Sequence, residues 1–312
     1  MKIVFLGTSE FAVPSLKKLH GTHEITAVIT KRDKPQGRRL VSAPSPVKAA
    51  AQELGLPVSS VEGLPADKAA ESLAAYGADI FVVIAYGQIL PAKVLSLPGM
   101  GSIGLHASLL PKYRGPSPIN WAIINGETAT GVTVFRLNEK MDEGAIVSQS
   151  RVEILSSDNA QTLSDKLAAT GAELLCGSIA DMASGKASFT EQDARSATVT
   201  GKLKKEDGRI DWSRPAQAIH NRIRGLYGWP GAFSELSGKA VKIWSSGLPL
   251  AVGAARASSP GTITAIGKDG ITVSCGDGSL TIIELQAEGG RRMKASEYAL
   301  GHNVRAGDSF VK

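Results

Sequence analysis

The spacing of apolar residues divides the chain into a first part of mixed strand and helix patterns and a second part of short strands. Apolar runs at residues 2–6, 25–30 and 80–85 have the length and composition of buried parallel strands. The run at 80–85 is the most hydrophobic, so we expect it to be a central strand. Segments with helical spacing separate these runs. The alternation predicts an α/β fold with a Rossmann-like, mostly parallel sheet.

Helical spacing predicts helices at residues 11–19, 46–54, 65–76, 118–125 and 157–184. Thr8 or Ser9 can cap the first of them, because a hydroxyl there can accept a free backbone N–H of the first turn. Gly171 lies on the apolar stripe of the longest helix, where a glycine permits close packing.

A pair of strands is predicted at residues 130–135 and 146–154, joined through a tight turn at 140–144. We expect the second strand to run antiparallel to its neighbour across that turn. Asp142 lies at the tip of the turn. On spacing alone it is a surface acid of a turn.

The second part of the chain follows a polar, weakly periodic segment that we interpret as a linker. Short strands are predicted at residues 241–244, 261–266, 270–275 and 280–285, with glycine-containing turns between some of them. Closely spaced strands of this kind predict a small OB-like β-barrel. We predict a first domain over residues 1–188, a linker over 189–205 and the barrel domain over 206–312.

Composition excludes several classes of protein. The chain has 312 residues, of which 43% are hydrophobic and 21% charged, as in ordinary globular proteins. No apolar run approaches the roughly 18 residues of a membrane span, and the first apolar run is too short for a signal peptide. Cys176 and Cys275 are far apart in sequence, which argues against a metal site or a disulfide framework. We therefore expect a cytoplasmic protein.

The net charge of +6 is unevenly distributed along the chain. Residues 1–50 carry nine Lys or Arg against three Asp or Glu, and residues 201–250 carry nine against four. Residues 51–200 carry ten against sixteen. The two basic segments are either solvated surface or patches for a polyanion, for which nucleic acid is the obvious candidate.

The turn after the first strand is not a dinucleotide-binding fingerprint. Gly7-Thr8-Ser9 lacks the second and third glycines that let a pyrophosphate approach the backbone. A nicotinamide cofactor is therefore disfavoured.

The stretch at residues 101–115, GSIGLHASLLPKYRG, carries the main candidate for chemistry. It begins as a buried strand and changes at His106 into a loop that ends at Gly115. An imidazole at the carboxyl end of a strand in an α/β sheet lies where such sheets bind ligands. His106 is therefore a candidate general base, although a histidine in this position is also often structural.

The run His-x-Ser-Leu-Leu-Pro-x-x-x-Gly that starts at His106 resembles the signature of the formyltetrahydrofolate-dependent formyltransferases. The resemblance implies formyl transfer with His106 as the base, and it implies that Asp142, in the family's Asp-x-Gly turn, pairs with this histidine. The family has an asparagine two residues before the histidine, where its amide stabilises the oxyanion. Here that position is Gly104, whose side chain is absent.

The same resemblance implies 10-formyltetrahydrofolate as co-substrate and no metal. The residues that match the folate-binding part of the family pattern form two groups, a turn and a loop. They are Tyr86, Gly87, Gln88, Ile89 and Leu90 in the turn, and Ser108, Leu109, Leu110 and Pro111 in the loop.

The basic segment at residues 31–46, KRDKPQGRRLVSAPSP, is longer than most loops between a strand and a helix and shows no usable periodicity. Its Pro-x-Gly-Arg and the later Pro-x-Pro-Val-Lys resemble a loop with which family members that formylate initiator methionyl-tRNA contact the acceptor arm. Phe11 matches an aromatic residue near the methionyl group. The residues that this resemblance assigns to tRNA or to the methionyl group are Phe11, Lys34, Arg38, Arg39, Lys204 and Lys205.

The resemblance thus implies an enzyme that formylates the methionine of initiator methionyl-tRNA, and we expect it to act as a monomer without membrane contact. Two alternatives stay open. Because Gly104 lacks the amide, the chain could be a catalytically impaired homologue that keeps its folate and tRNA surfaces. It could also formylate another amine, although the two basic segments disfavour a small substrate.

Overall fold

The structure is a computed structural model that describes residues 1–36, 41–250 and 258–311. Its contacts divide the chain into two compact units. The first unit consists of residues 1–118, 129–153 and 164–200, and the second of residues 119–128, 154–163 and 201–312. The domain boundaries at 188 and 206 stay predictions.

The elements before residue 200 alternate between strand and helix, as expected. The strands are β1 (Lys2–Gly7), β2 (Glu24–Ile29), β3 (Lys34–Gln36), β4 (Val41–Ala43), β5 (Val58–Ser59), β6 (Ile80–Ile84), β7 (Ser102–His106), β8 (Ala129–Arg136) and β9 (Ile146–Glu153). The α-helices are α1 (Val13–His20), α2 (Pro46–Glu53), α3 (Ala66–Ala74), α4 (Ala92–Leu95), α5 (Pro118–Ile124) and α6 (Ala160–Ala183). Short 3-10 helices cover Glu10–Ala12 and Ala194–Ser196.

Seven strands of the first unit form one sheet in the order β5-β2-β1-β6-β7-β8-β9. The pairs from β5 to β7 are parallel, whereas β8 is antiparallel to both β7 and β9. The predicted mostly parallel sheet and the antiparallel β8–β9 pair are therefore confirmed. The apolar residues of β1 and those of β6 other than Val83 are buried, because helices cover both faces of such sheets.

The strand order reverses between β1 and β6, which places a crevice at the carboxyl edge of the sheet. From β1 the chain proceeds to β2 on one side, and from β6 to β7 on the other. Gly7 pairs with Ile84 and Val83 with Gly104, so the ends of β1, β6 and β7 lie next to one another. Open α/β sheets bind their ligands at this type of switch point.

The prediction that Thr8 or Ser9 caps the first helix is wrong. Ser9 precedes the 3-10 helix Glu10–Ala12 but makes no side-chain capping bond. The Thr8 hydroxyl instead donates to the carbonyl oxygen of Tyr86 at 3.2 Å. Since Tyr86 follows β6, this bond joins two loops at the carboxyl edge of the sheet.

The long helix α6 approaches the strand that carries His106. A Cβ added at Gly171 would lie 2.6 Å from Cδ2 of Leu105, the residue before that histidine. The glycine therefore allows the helix to pack closely on β7, as its place on the apolar stripe predicted.

The basic segment after β2 contains an element that sequence analysis did not predict. Its strands β3 and β4 pair as an antiparallel hairpin. Arg38 and Arg39 lie outside the described residues.

The second unit contains a curled antiparallel sheet in the order β12-β13-β14-β11-β10-β16, with β15 paired to β14. Its strands are β10 (Ala232–Leu236), β11 (Lys239–Ser246), β12 (Ile263–Gly267), β13 (Gly270–Ser274), β14 (Ser279–Ala287), β15 (Met293–Lys294) and β16 (Phe310–Val311). Its further helices are the 3-10 helix Lys205–Gly208, α7 (Ala216–Gly225) and α8 (Ala295–Gly301).

The two edges of this sheet are joined by backbone hydrogen bonds. Ile263 N–H donates to the carbonyl oxygen of Asp308 at 2.8 Å, and Phe310 N–H donates to that of Gly261 at 2.9 Å. The sheet therefore curls into the small barrel-like domain that the short strands predicted. In the part of the chain that the structure describes, no helix is long and apolar enough to cross a membrane.

Candidate active site

His106 ends strand β7 at the carboxyl edge of the sheet, and its side chain is mostly buried. Its Nε2 lies 2.8 Å from the carbonyl oxygen of Tyr113. A carbonyl oxygen can only accept, so this contact assigns the hydrogen of a neutral imidazole to Nε2. Nδ1 then carries the lone pair, and it is the ring nitrogen that can take up a proton.

Asp142 lies in the turn after β8 and faces the same ring nitrogen. Its Oδ2 is 3.7 Å from His106 Nδ1, which is too long for a hydrogen bond but close enough for an ion pair with a protonated ring. Oδ2 also accepts the backbone N–H of Gly115 at 2.7 Å. The structure thus brings together the histidine and the aspartate that the sequence pattern paired.

A buried arginine and a glutamine hold the turn of Asp142 against the loop that follows His106. Arg114 is 7% exposed, and its Nε and Nη2 donate to Gln192 Oε1 at 3.0 and 2.9 Å. Gln192 Nε2 in turn donates to the carbonyl oxygens of Asp142 and Gly144, both at 2.8 Å. One side chain therefore hydrogen-bonds to three groups, and Arg114 also forms an ion pair with Glu143, at 3.2 Å between Nη1 and Oε1.

The segment that ends the first unit adds backbone bonds to the same loop. Arg114 N–H donates to the carbonyl oxygen of Thr198 at 2.8 Å, and Thr200 N–H donates to that of Arg114 at 2.8 Å. Tyr113 N–H donates to Thr198 Oγ1 at 2.8 Å. The sequence did not point to Gln192 and Thr198 as site residues, because this polar segment has no periodicity and looks like a linker. Arg114 lies in the stretch 101–115, but nothing in its spacing showed that its side chain reaches Gln192.

The loop after His106 also rests on the buried hydroxyl of Thr133, in strand β8. This hydroxyl accepts the N–H of Leu110 at 3.1 Å and donates to the carbonyl oxygen of Ser108 at 2.6 Å. Gln149, in β9, donates to the carbonyl oxygen of Leu110 at 2.9 Å. The side chains of Ser108 and Leu110 are buried and shape the loop, whereas Leu109 and Pro111 are partly exposed.

Gly104 is buried in β7, directly opposite Phe135 of β8. A Cβ at this position would lie 2.8 Å from Cε1 of Phe135 and 3.1 Å from Cδ2 of Leu137. The ends of two apolar side chains therefore crowd the place where the family's asparagine side chain would begin.

The predicted folate-binding residues in the turn after β6 form two groups, one with buried side chains and one that is exposed or partly exposed. Tyr86 and Leu90 are 1% and 8% exposed and pack in the core of the first unit. The Tyr86 hydroxyl has no hydrogen-bond partner among the residues that the structure describes, and burial raises the pKa of Tyr86 to about 12. Gly87, with φ of +74°, is exposed, Gln88 is partly exposed and Ile89 is 73% exposed.

The residues predicted to contact tRNA or the methionyl group are spread over the chain. Phe11 is partly buried in the 3-10 helix that follows β1, and Lys34 begins β3. Lys204 and Lys205 are exposed in the second unit, where Lys204 N–H donates to Asp207 Oδ2 at 2.7 Å.

The first unit has a Rossmann-like sheet with a histidine–aspartate pair at its carboxyl edge, and a barrel-like domain comes later in the chain. Both features agree with the families that this chain matches. Residues 1–179 match the family described as formyl transferase, and residues 202–303 match the formyl transferase C-terminal domain. The chain therefore belongs to the formyl transferase family, and the predicted resemblance is confirmed.

Curated relatives narrow the comparison within this family. The methionyl-tRNA formyltransferase of Solibacter usitatus is 44% identical over 305 residues, which cover 97% of this chain and 96% of the relative. The methionyl-tRNA formyltransferase of Bacillus velezensis is 40% identical, with 98% of this chain and 96% of the relative covered.

Among solved structures, the chain is similar to an N-formyltransferase from Helicobacter canadensis in complex with folinic acid and dTDP-3-aminofucose. The TM-score is 0.69, with 94% of this chain and 100% of the other chain covered. At 19% sequence identity this similarity shows the fold alone.

Proposed function

We propose that this chain transfers the formyl group of 10-formyltetrahydrofolate to the amino group of methionine on initiator methionyl-tRNA. The observation that carries the proposal is the 40–44% identity, over nearly the full length of both chains, to several methionyl-tRNA formyltransferases. The reaction supplies formylated initiator tRNA for translation, so we expect it to take place in the cytoplasm.

His106 is the general base of the proposed reaction. An amine that attacks the formyl carbon must lose a proton, and Nδ1 of His106 carries the free lone pair as long as Nε2 donates to Tyr113. The same ring can then return the proton to the departing folate nitrogen. Proton transfer by a positioned side chain contributes roughly 10²–10⁴ in rate.

Asp142 stabilises the protonated form of His106. Its carboxylate is 3.7 Å from Nδ1, so an imidazolium there gains a partner of opposite charge in a mostly buried place. The bond from Gly115 N–H fixes the orientation of the carboxylate. Gln192 acts through Asp142 as a positioning residue, because it holds the backbone of the turn that carries the aspartate.

The proposed site lacks a side-chain donor at position 104. Loss of one oxyanion donor lowers turnover by roughly 10²–10³ in enzymes where it has been removed. The apolar side chains of Phe135 and Leu137 next to Gly104 offer no replacement. We therefore propose that turnover is limited by poor stabilisation of the negative charge that develops on the formyl oxygen.

The folate group would bind beside the turn after β6. Gly87 presents backbone without a side chain there, and the exposed Ile89 offers an apolar contact for a flat ring. When bound, 10-formyltetrahydrofolate supplies the formyl group, and the reaction needs no metal. The other residues that we propose for folate binding are Tyr86, Gln88, Leu90, Ser108, Leu109, Leu110 and Pro111, of which those with buried side chains contribute through their backbone.

The tRNA would bind through the two basic segments, because its phosphates attract Lys and Arg side chains. We propose Lys34, Arg38 and Arg39 for the acceptor arm, Phe11 for the methionyl group, and Lys204 and Lys205 for the tRNA beyond them. We propose that the enzyme acts as a monomer.

The two alternatives left open by the sequence are less well supported. The similar curated relatives are named for methionyl-tRNA, which disfavours another amine as substrate. The impaired-homologue hypothesis rests on Gly104 alone, whereas the histidine, the aspartate and the contacts that fix them are intact.

A substrate comparison tests the proposed function. The full chain is incubated with labelled 10-formyltetrahydrofolate and, separately, methionyl-tRNA, free methionine or an amino sugar nucleotide. We expect formylated product from methionyl-tRNA and at least 10²-fold less from either small amine. Preferred formylation of a small amine would contradict the proposal. Binding of folate and tRNA without any product would favour the impaired homologue.

A further inference from the structure

The backbone of Tyr113, whose carbonyl oxygen accepts Nε2–H of His106, has a left-handed conformation with φ of +58°. A residue with a Cβ rarely adopts such a φ, so the surrounding structure must hold it there. The direction of this carbonyl group decides which ring nitrogen of His106 carries the hydrogen. The groups that hold Tyr113 therefore also prepare the proposed base.

Thr198 bonds to both of the peptide units that flank the Cα atom of Tyr113. Its Oγ1 accepts the N–H of Tyr113 at 2.8 Å, and its carbonyl oxygen accepts the N–H of Arg114 at 2.8 Å. Each peptide unit is planar, so the orientations of these two planes define φ and ψ of Tyr113. One residue of the segment that ends the first unit thus fixes the direction of the Tyr113 carbonyl group.

The hydroxyl of Thr198 is one of two anchors of the peptide unit between Lys112 and Tyr113. At the other end of this unit, Ser108 Oγ donates to the carbonyl oxygen of Lys112 at 2.6 Å. The backbone of Thr198 makes a further bond, in which its N–H donates to the carbonyl oxygen of Pro111 at 3.2 Å. Because Thr198 is exposed, a smaller side chain there leaves no cavity in a core, and the hydroxyl can be removed by itself.

We infer that Thr198 is a positioning residue for the general base His106. Its hydroxyl keeps the carbonyl oxygen of Tyr113 directed at Nε2, which keeps the hydrogen of the neutral ring on Nε2 and the lone pair on Nδ1. Without this hydroxyl, a share of the molecules carries the ring hydrogen on Nδ1, where it blocks uptake of a proton. The catalytic consequence rests on the proposed function, whereas the position of the ring hydrogen does not.

Two measurements on the full chain test this inference. The chains compared are the parent, Thr198→Val, Thr198→Ser and the control Thr190→Val. Valine has nearly the shape of threonine without its hydroxyl, whereas serine keeps the hydroxyl. Thr190 is an exposed threonine of the same polar segment, and its backbone bonds to Ile146. Thermal unfolding verifies that each variant is folded. If Thr198→Val does not fold, Thr198→Ala and Thr198→Ser make the same comparison.

The first measurement is the nitrogen NMR spectrum of the isotope-labelled histidine rings, recorded without substrates at alkaline pH, where histidine is neutral. The signals of His106 are those that a His106→Gln variant lacks. We expect the ring hydrogen on Nε2 in the parent, Thr198→Ser and Thr190→Val, and partly on Nδ1 in Thr198→Val. A parent with this hydrogen on Nδ1, or a Thr198→Val spectrum identical to that of the parent, overturns the inference.

The second measurement is steady-state formylation of methionyl-tRNA. Loss of one hydrogen bond between neutral groups should lower kcat of Thr198→Val by roughly three- to tenfold. Both KM values should change by less than about twofold, because substrate binding does not depend on the ring hydrogen. Thr198→Ser should recover most of the lost rate, and Thr190→Val should keep the parent rate.

A loss shared by kcat and both KM values, or one that serine does not restore, would indicate a merely structural role for Thr198 and would overturn the inference. If the folded parent forms no formylated methionyl-tRNA, the proposed function fails. The ring spectra then still decide whether Thr198 positions His106, because they need no substrate.

Discussion

Two glycines lie beside the candidate active site, and a methyl group added to each would meet a different obstacle. At Gly144, the added Cβ would overlap the backbone carbonyl oxygen of Arg136, at the end of β8. At Gly104, it would meet the ring edge of Phe135 and a terminal methyl group of Leu137. Backbone in a sheet has no room to yield, whereas the ends of side chains can turn aside.

The difference teaches that the two sides of His106 are built in different ways. On the side of Asp142, backbone contacts and a chain of hydrogen bonds through Arg114 and Gln192 define one arrangement. On the side of Gly104, apolar side chains crowd a position where the family carries a polar group. We therefore expect substitutions on the Asp142 side of His106 to disturb the site, and we expect position 104 to accept a new side chain.

Among the variants that test this comparison, the largest effect is expected for Gly144→Ala. The new methyl group must displace the turn that carries Asp142, and a misplacement of about 1 Å at a catalytic group can cost roughly 10²-fold in rate. Stability should also fall by about 1–3 kcal/mol, as in other overpacked sites. Steady-state formylation and the thermal unfolding midpoint measure the two losses.

Gly177→Ala is the matched control for this variant. Gly177 lies on the exposed side of α6, and a Cβ there would meet none of the described side chains within 4 Å. Alanine in a helix interior should stabilise the chain by about 0.5–1 kcal/mol and leave activity unchanged. A Gly144→Ala enzyme with parent kinetics would show that the turn is not held by its backbone.

The second effect is a gain of activity from an amide at position 104. Gly104→Asn places a donor on the strand face that carries His106, but its Cβ must first displace Phe135. Combining it with Phe135→Met, whose flexible side chain can bend away, should raise kcat by roughly 10²-fold. Gly104→Asn alone should give a smaller gain, and Phe135→Met alone should give none.

The gain should appear in kcat rather than in KM, because the negative charge exists only in the transition state. Single-turnover rates with saturating folate and tRNA measure it. A double variant that folds, binds folate and gains no activity would show that position 104 does not face the formyl oxygen.

The third effect is a loss for Gln192→Ala, expected to be roughly tenfold in kcat. The substitution leaves the carbonyl oxygens of Asp142 and Gly144 and the buried Arg114 with fewer hydrogen bonds. Since Gln192 acts through the position of Asp142, both KM values should change less than twofold. Glu191→Ala, at the exposed neighbouring residue, is the control. Equal losses in kcat and in both affinities would indicate a general structural role instead.

The smallest effect is expected for Tyr86→Phe. The Tyr86 hydroxyl is buried without a hydrogen-bond partner among the described residues, so its removal relieves an unpaired polar group. Stability should be unchanged or higher by about 1 kcal/mol, and the KM for folate should stay the same. A clear rise in that KM would show that the hydroxyl itself contacts the folate.

Local patterns predicted most of the fold, whereas the two central residues of the candidate site were predicted from the family resemblance. The apolar run before His106 and the glycine-containing turn around Asp142 are short and continuous, so their elements could be derived from spacing. The cap expected from Thr8 was wrong because its hydroxyl finds the carbonyl oxygen of Tyr86, which a distant strand brings nearby.

The remaining parts of the site depend on pairings that sequence spacing does not encode. Phe135 faces Gly104 because of the register between β7 and β8. Gln192 reaches Asp142 across 50 residues of chain, from a polar segment without periodicity. Tyr86 follows the apolar run of β6, and its side chain is buried in the core. Its position in the folate-binding pattern did not reveal this burial.

The most direct test of the account is the single-turnover rate of formyl transfer to methionyl-tRNA for the parent and for His106→Gln. A glutamine amide can still donate to the carbonyl oxygen of Tyr113, but it cannot take up a proton, so the loop is preserved and the base is removed. With both substrates saturating, we expect formylated tRNA from the parent and a rate lower by roughly 10²–10⁴ in the variant. Equal rates in the two proteins would contradict the assignment of His106 as the base of this reaction.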